Sequence, residues 1–143
     1  MRFVSKTFDE LTKRELYELL KARSQVFLVE LRMHCQDMDD VDYTARHVFL
    51  EENGKVMAYL RAFYTDAETV RIGRVLTSVH GVGLGAELMR CALAEIPNVM
   101  PCRRLCLDSQ KHAEGFYKRF GFATVSDEFL EEGVVHVAME RSV

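Results

Sequence analysis

At 143 residues and 48% hydrophobic, the chain can bury a sizeable core, and residues 1–143 are expected to form one domain because no linker, repeat or low-complexity segment interrupts them. A net charge of −3, with acids and bases interspersed, excludes a general attraction to nucleic acid or to an anionic membrane. Cys35, Cys91, Cys102 and Cys106 lack the spacing of a zinc site or a disulfide framework, so no metal is expected and the thiols read as small reduced core residues.

Residues 3–8 suggest a short edge strand, and the stretch MRFVSKTFDE lacks the apolar core of a signal peptide. With no apolar run of about 18 residues, the expected location is cytoplasmic. Thr12 and Glu15 then form a capping box, Leu11 and Leu16 stand as a hydrophobic staple, and a helix is predicted from Lys13. Leu16, Leu19, Leu20, Arg23 and Phe27 share one face of it, where Arg23 is either a snorkelling side chain or an ion-pair partner.

From Glu30 to Asp42 the chain is acidic. An EF-hand beginning at Asp37 needs Gly at its sixth place and Glu at its twelfth, where Asp42 and Val48 stand, so calcium is not supported. Two alternatives stay open, a solvated acidic loop or an acidic mouth that attracts a cationic amine. Next, Asn53-Gly54 between two apolar runs predicts a hairpin, and a turn at residues 66–68 adds a third antiparallel strand.

That third strand feeds the most informative stretch, RIGRVLTSVHGVGLGAELMRCALAEI, residues 71–96. Gly81, Gly83 and Gly85 read as a tight turn, followed by Leu84, Leu88, Ala92 and Ile96 at helical spacing. The first amides of a helix lack intrahelical partners and carry partial positive charge, and glycines remove the Cβ atoms that keep a phosphate at a distance. A pyrophosphate cradle made of backbone follows. A Walker loop is excluded, because Gly85 is followed by Ala86 and Glu87 rather than Lys and Ser or Thr. A dinucleotide fingerprint, Gly81-x-Gly83-x-x-Ala86 with Asp108 as the ribose acid, fits poorly because no second nucleotide-binding half has room to follow.

Beyond the helix, Pro97 and Pro101 are expected to bound a loop, Leu105 to Asp108 a buried strand, and residues 109–122 a helical segment stopped by Gly121. Val135, Val137 and Met139 alternate with polar partners as a last strand, with residues 122–126 pairing to it after a turn at Glu132-Gly133.

His80-x-x-Gly83-x-Gly85, then a helix, a strand and A-x-x-F-Y-x-x-x-G-F over Ala113, Phe116, Tyr117, Gly121 and Phe122, resembles the GNAT superfamily of N-acetyltransferases. R-x-x-V-F-x-V-E over Arg23 to Glu30, Gln36 to Asp39, Arg46-His47, Ile72 to Val75 and E-E-G-V-V-H-V-A-M ending at Met139 resemble its ElaA-like branch. The resemblance implies an α+β fold with a mixed, mostly antiparallel twisted sheet, splayed at an acetyl-CoA site and flanked by about four helices. It also implies that Leu76, Thr77 and Ser78 meet the pantetheine arm, that His80, Gly81, Val82, Gly83, Leu84, Gly85 and Ala86 hold the pyrophosphate, and that Gln110 bonds the arm or a carbonyl. His80 stands where the family has Arg or Gln, the loop to Gly83 is about two residues short, and Leu31 replaces a usual Gln.

The implied reaction is transfer of an acetyl group from acetyl-CoA to a primary amine by direct attack in a ternary complex. Tyr117 takes the place of the general acid, and Glu30 is a candidate to deprotonate the ammonium through water. A covalent route through Cys106 is a lesser alternative, and His47 and His136 are reserve candidates near strand starts. The competing classes are a non-catalytic acyl-CoA sensor and a small NAD-binding domain. The partner is a small-molecule or peptide amine, and a homodimer is a further expectation, since dimers are frequent in the superfamily.

Overall fold

Asn53 and Gly54, at φ 53° and 77°, supply the two left-handed residues of the hairpin turn that joins β2 (Arg46–Glu52) to β3 (Lys55–Asp66). In the computed structural model, which describes all 143 residues, this hairpin grows into an eight-stranded sheet. The other strands are β1 (Arg2–Thr7), β4 (Thr69–Thr77), β5 (Arg104–Gln110), β6 (Ala123–Thr124), β7 (Phe129–Glu131) and β8 (Val134–Ser142). Their order is β1-β2-β3-β4-β5-β8-β6, with β7 also paired to β8. Only β4 and β5 run parallel; every other pair is antiparallel.

Three α-helices cover the sheet: α1 (Lys13–Arg23), α2 (Leu84–Val99) and α3 (Glu114–Arg119). The capping box opens α1 as expected, the Thr12 hydroxyl accepting from the Glu15 amide at 3.0 Å and the Glu15 carboxylate from the Thr12 amide at 2.9 Å. Strand alternation sends Leu60 and Ile72 to one face, where they pack with Leu88, Met89 and Ile96 of α2. Tyr59 and Leu76 point to the other face and meet Leu19 and Val26.

Two irregularities open this frame. β4 and β5 keep register for only three pairs, Thr69 with Arg104, Val70 with Leu105 and Arg71 with Cys106, and then diverge. Just beyond, β4 carries an extra residue: Gly73 faces Arg61 and Leu76 faces Tyr59, leaving Arg74 and Val75 opposite Leu60 alone. Arg74 sits at φ 54° in this bulge, which sharpens the local twist and helps part the strands.

Three expectations need correction. α2 runs through Pro97 to Val99, because a last turn loses only one hydrogen bond to proline and the Asn98 amide side chain reaches the Ala94 carbonyl at 3.2 Å. Residues 109–122 are not one helix: Ser109 and Gln110 extend β5 against β8, a 3-10 turn follows at Lys111–Ala113, and α3 is short. None of the four free cysteines is a core residue, Cys35 being exposed and the other three half-buried.

Candidate active site

Where β4 and β5 part, a cavity of about 600 Å³ opens through the sheet between α3 and the segment after α1. One wall is β4 and the glycine turn. The Ser78 amide donates to the Met57 carbonyl at 2.8 Å. Antiparallel bonding alternates, so the Leu76 main chain faces its register partner Tyr59 and that of Thr77 faces the open seam.

The turn has the geometry of an anion cradle. Gly81 and Gly83 sit at φ 78° and 80°, and a Cβ built on either would meet nothing within 4 Å, so open space lies before their backbone. The first bond of α2 runs from the Glu87 amide to the Gly83 carbonyl at 3.1 Å, and no side chain caps the helix. The amides of Leu84, Gly85 and Ala86 are thus free of intrahelical partners. Leu84 buries its side chain in the core, so it offers only backbone, while Val82 is exposed. His80 is exposed as well, its Nδ1 3.3 Å from the Thr77 hydroxyl and its Nε2 3.9 Å from a Glu30 oxygen.

The opposite wall begins where α1 loosens into a π-helical stretch, Ser24–Glu30, which turns Phe27 and Glu30 toward the cavity. Arg23, fully buried at its start, is an ion-pair partner and does not snorkel. It bonds Asp37 at 3.0 Å and Asp42 at 2.7 Å. Arg61 from β3 bonds Asp42 at 3.0 Å and Asp39 at 2.6 Å, and Arg74 in the bulge bonds Asp37 at 2.9 Å. Three arginines therefore neutralise three aspartates, Asp37, Asp39 and Asp42, while Glu30 and Asp40 of the same stretch stay exposed outside this network. Burial pushes the Asp42 carboxyl up, but hydrogen bonds and charge from Arg23 and Arg61 outweigh it and hold it below its usual range.

Tyr117 of α3 reaches the cavity from the β5 side. It is buried against Phe116 and Phe122 in edge-to-face contacts at 5.2 and 6.0 Å. Burial pushes its phenol up to about 12, so it holds its proton at neutral pH. Its hydroxyl has no protein partner and is not sealed from the cavity. Gln110 also lines the space, its side-chain oxygen accepting from His112 Nε2 at 2.6 Å. Asp108 pairs closely with Arg71 across the seam, which removes it as a free ribose-binding acid.

Residues 12–143 match the acetyltransferase (GNAT) domain family. The chain belongs to the GNAT acetyltransferases. ElaA of Escherichia coli is 36% identical over 141 residues, covering 94% of this chain and 92% of ElaA. Its crystal structure superposes with a TM-score of 0.92 at 34% identity over 98% of both chains. The crystal structure of an acyl-CoA N-acyltransferase from Pseudomonas aeruginosa gives a TM-score of 0.92 at 33% identity over 99% of both chains. A UPF0039 protein of Schizosaccharomyces pombe is 36% identical over 143 residues, covering 97% of this chain and 95% of that protein.

As a GNAT acetyltransferase the protein is an acyl-CoA-dependent enzyme, and the parted strands and bare glycine turn fit such a co-substrate. Burial raises the Cys106 thiol above its ordinary value, which disfavours the thiolate that a covalent route needs. Sequence reasoning missed the partners on the opposite wall: Arg61 and Arg74 lie in strands with no local link to the acidic stretch, and only the fold brings them to it. His47, a reserve candidate, is tied at both nitrogens, to the Tyr59 hydroxyl at 2.7 Å and the Asp42 carbonyl at 2.9 Å, and takes no place on the cavity wall. His136 does line the cavity.

Proposed function

We propose that the enzyme transfers the acetyl group of acetyl-CoA to a primary amine by direct attack in a ternary complex. The observation that carries this is the meeting, in one cavity, of an unpaired β4 seam and an unpartnered, protonated Tyr117 hydroxyl. Acetyl-CoA lays its pantetheine arm along β4 like an added strand, using the main chain of Thr77, with Gln110 on the opposite side. Its pyrophosphate rests on the turn from His80 to Ala86. The amine enters from the side of Glu30, whose carboxylate is half-exposed at the rim and draws the ammonium inward.

Once neutral, the amine attacks the thioester carbon, and negative charge moves onto the carbonyl oxygen. A β4 amide facing the seam receives that charge, the arrangement in which such donors are most effective. Collapse breaks the carbon–sulfur bond. Tyr117 gives its proton to the sulfur as it leaves, and a proton lost from the new amide nitrogen restores the phenol. The products are the N-acetylated amine and CoA.

Tyr117→Phe is expected to leave acetyl-CoA affinity nearly unchanged in calorimetry while lowering turnover about a hundredfold or more, the loss expected for a general acid. An unchanged rate removes Tyr117 from the mechanism. A screen of amines watched by mass spectrometry for the gain of one acetyl group tests the reaction itself; a chain that binds acetyl-CoA and acetylates nothing is instead a sensor.

A further inference from the structure

We propose that His136, through its Nε2, is the base that takes the proton from the incoming ammonium. This rests on the N-acetyltransfer reaction above and adds the group it leaves unassigned. His136 begins the inner part of β8 opposite Gln110, the last residue of β5, so it stands on the β5 side of the parted seam. It is 5% exposed and lines the cavity.

Its two ring nitrogens are not equivalent. Nδ1 lies 2.7 Å from the Val134 carbonyl oxygen, which can only accept, so Nδ1 carries the hydrogen. The neutral ring therefore presents its lone pair at Nε2. No protein atom hydrogen-bonds Nε2, and it keeps some exposed surface on a residue that lines the cavity. A Glu131 oxygen waits 3.7 Å from it, on a side chain that is 49% exposed. Phe129 stacks on the ring at 6.0 Å and 24°, fixing its plane.

The other four histidines lack this combination. His34 is exposed and does not line the cavity, His47 spends both nitrogens on the protein, His112 spends Nε2 on Gln110, and the His80 side chain is 77% exposed on the glycine turn. Of the charged groups nearest the ring on neighbouring strands, Asp108 is neutralised by Arg71, and only the Glu131 carboxylate approaches Nε2.

The proton count closes. Nε2 takes one proton from R–NH3⁺, leaving the lone pair that attacks the thioester carbon. That proton leaves by way of the Glu131 carboxylate to solvent. The nitrogen's second surplus proton offsets the one that Tyr117 gives to sulfur, so the sum is amide, CoA thiol and one released proton.

A base matters only for an acceptor that arrives protonated. Phenethylamine and O-benzylhydroxylamine have nearly the same shape, but the first is an ammonium at neutral pH and the second largely a free amine. His136→Ala is expected to lower kcat/KM for phenethylamine about a hundredfold or more, the range for a lost general base. The rate with O-benzylhydroxylamine should stay within about threefold of the parent, and added imidazole should restore part of the phenethylamine rate. Equal losses with both amines overturn the assignment, since a packing defect does not sense protonation. His136→Gln guards against misfolding, and acetyl-CoA affinity in calorimetry reports an intact cofactor wall for either variant. Failure of the parent enzyme to release CoA with either amine counts against the N-acetyltransfer reaction and takes this inference with it.

Discussion

The wall formed by β4 and the start of α2 and the wall formed by residues 24–42 face each other across one cavity, but different forces hold them. The first is built from neighbours in sequence: a strand, a turn with glycines at positive φ, and a helix whose first amides stay free. The second is a stretch with little regular structure, fixed by guanidinium groups delivered from α1, β3 and β4. A wall of the first kind keeps its shape through local backbone bonds. A wall of the second kind depends on charges that must all be present, because a buried charge that loses its partner costs more than the pair contributes.

The largest expected effect lies on the ionic side. Asp42 accepts from both Arg23 and Arg61 while nearly buried. Asp42→Ala removes the carboxylate that two buried guanidinium groups share, leaving Arg23 with Asp37 and Arg61 with Asp39 alone, and is expected to cost about 3–5 kcal/mol of unfolding free energy, measured by urea titration. A loss below about 1 kcal/mol would mean that water reaches the network and that the two walls differ less than their geometry says.

A smaller effect is expected on the backbone side. Gly83→Asp meets no steric neighbour but places an L residue at φ 80°, which costs about 1–2 kcal/mol of stability. Its carboxylate would stand at the anion cradle, where a like charge at about 4 Å costs about 1–4 kcal/mol, so acetyl-CoA affinity should fall about tenfold or more in calorimetry. Unaltered affinity would place the pyrophosphate elsewhere.

The same contrast explains what could be read from the chain alone. The capping box at Thr12 and Glu15, the Asn53-Gly54 turn and the glycine turn before Leu84 are local patterns, and the backbone follows each. Pro97 misled because its local rule holds in a helix interior, whereas here it falls in the last turn. Asp37, Asp39 and Asp42 look like a solvated charge run until β3 and β4 bring Arg61 and Arg74 to them, and nothing in residues 30–42 announces those partners. His136 was legible only as a reserve candidate near a strand start; its free nitrogen depends on a carbonyl two residues back, at the first residue of β8.

The mildest test asks whether the ionic wall weakens with acid. Hydrogen bonds from Arg61, opposed by slight burial and helped by the charges of Arg61 and Arg74, lower the Asp39 carboxyl to about 2, against about 3.9 for an unfolded chain. A carboxyl whose folded value is depressed contributes its full stabilisation above the unfolded value and loses it as pH falls toward the folded one. The contribution of Asp39 should therefore be present at pH 6 and fade between about pH 4 and 2. Asp39→Asn lacks that titration, so the gap in urea midpoint between parent and variant should be widest at pH 6 and close on acidification. A gap that does not change with pH would show that Asp39 acts through hydrogen bonds that its amide also makes. Gly83→Ala provides the control, since it adds and removes no carboxyl and its gap in urea midpoint should not change across that window.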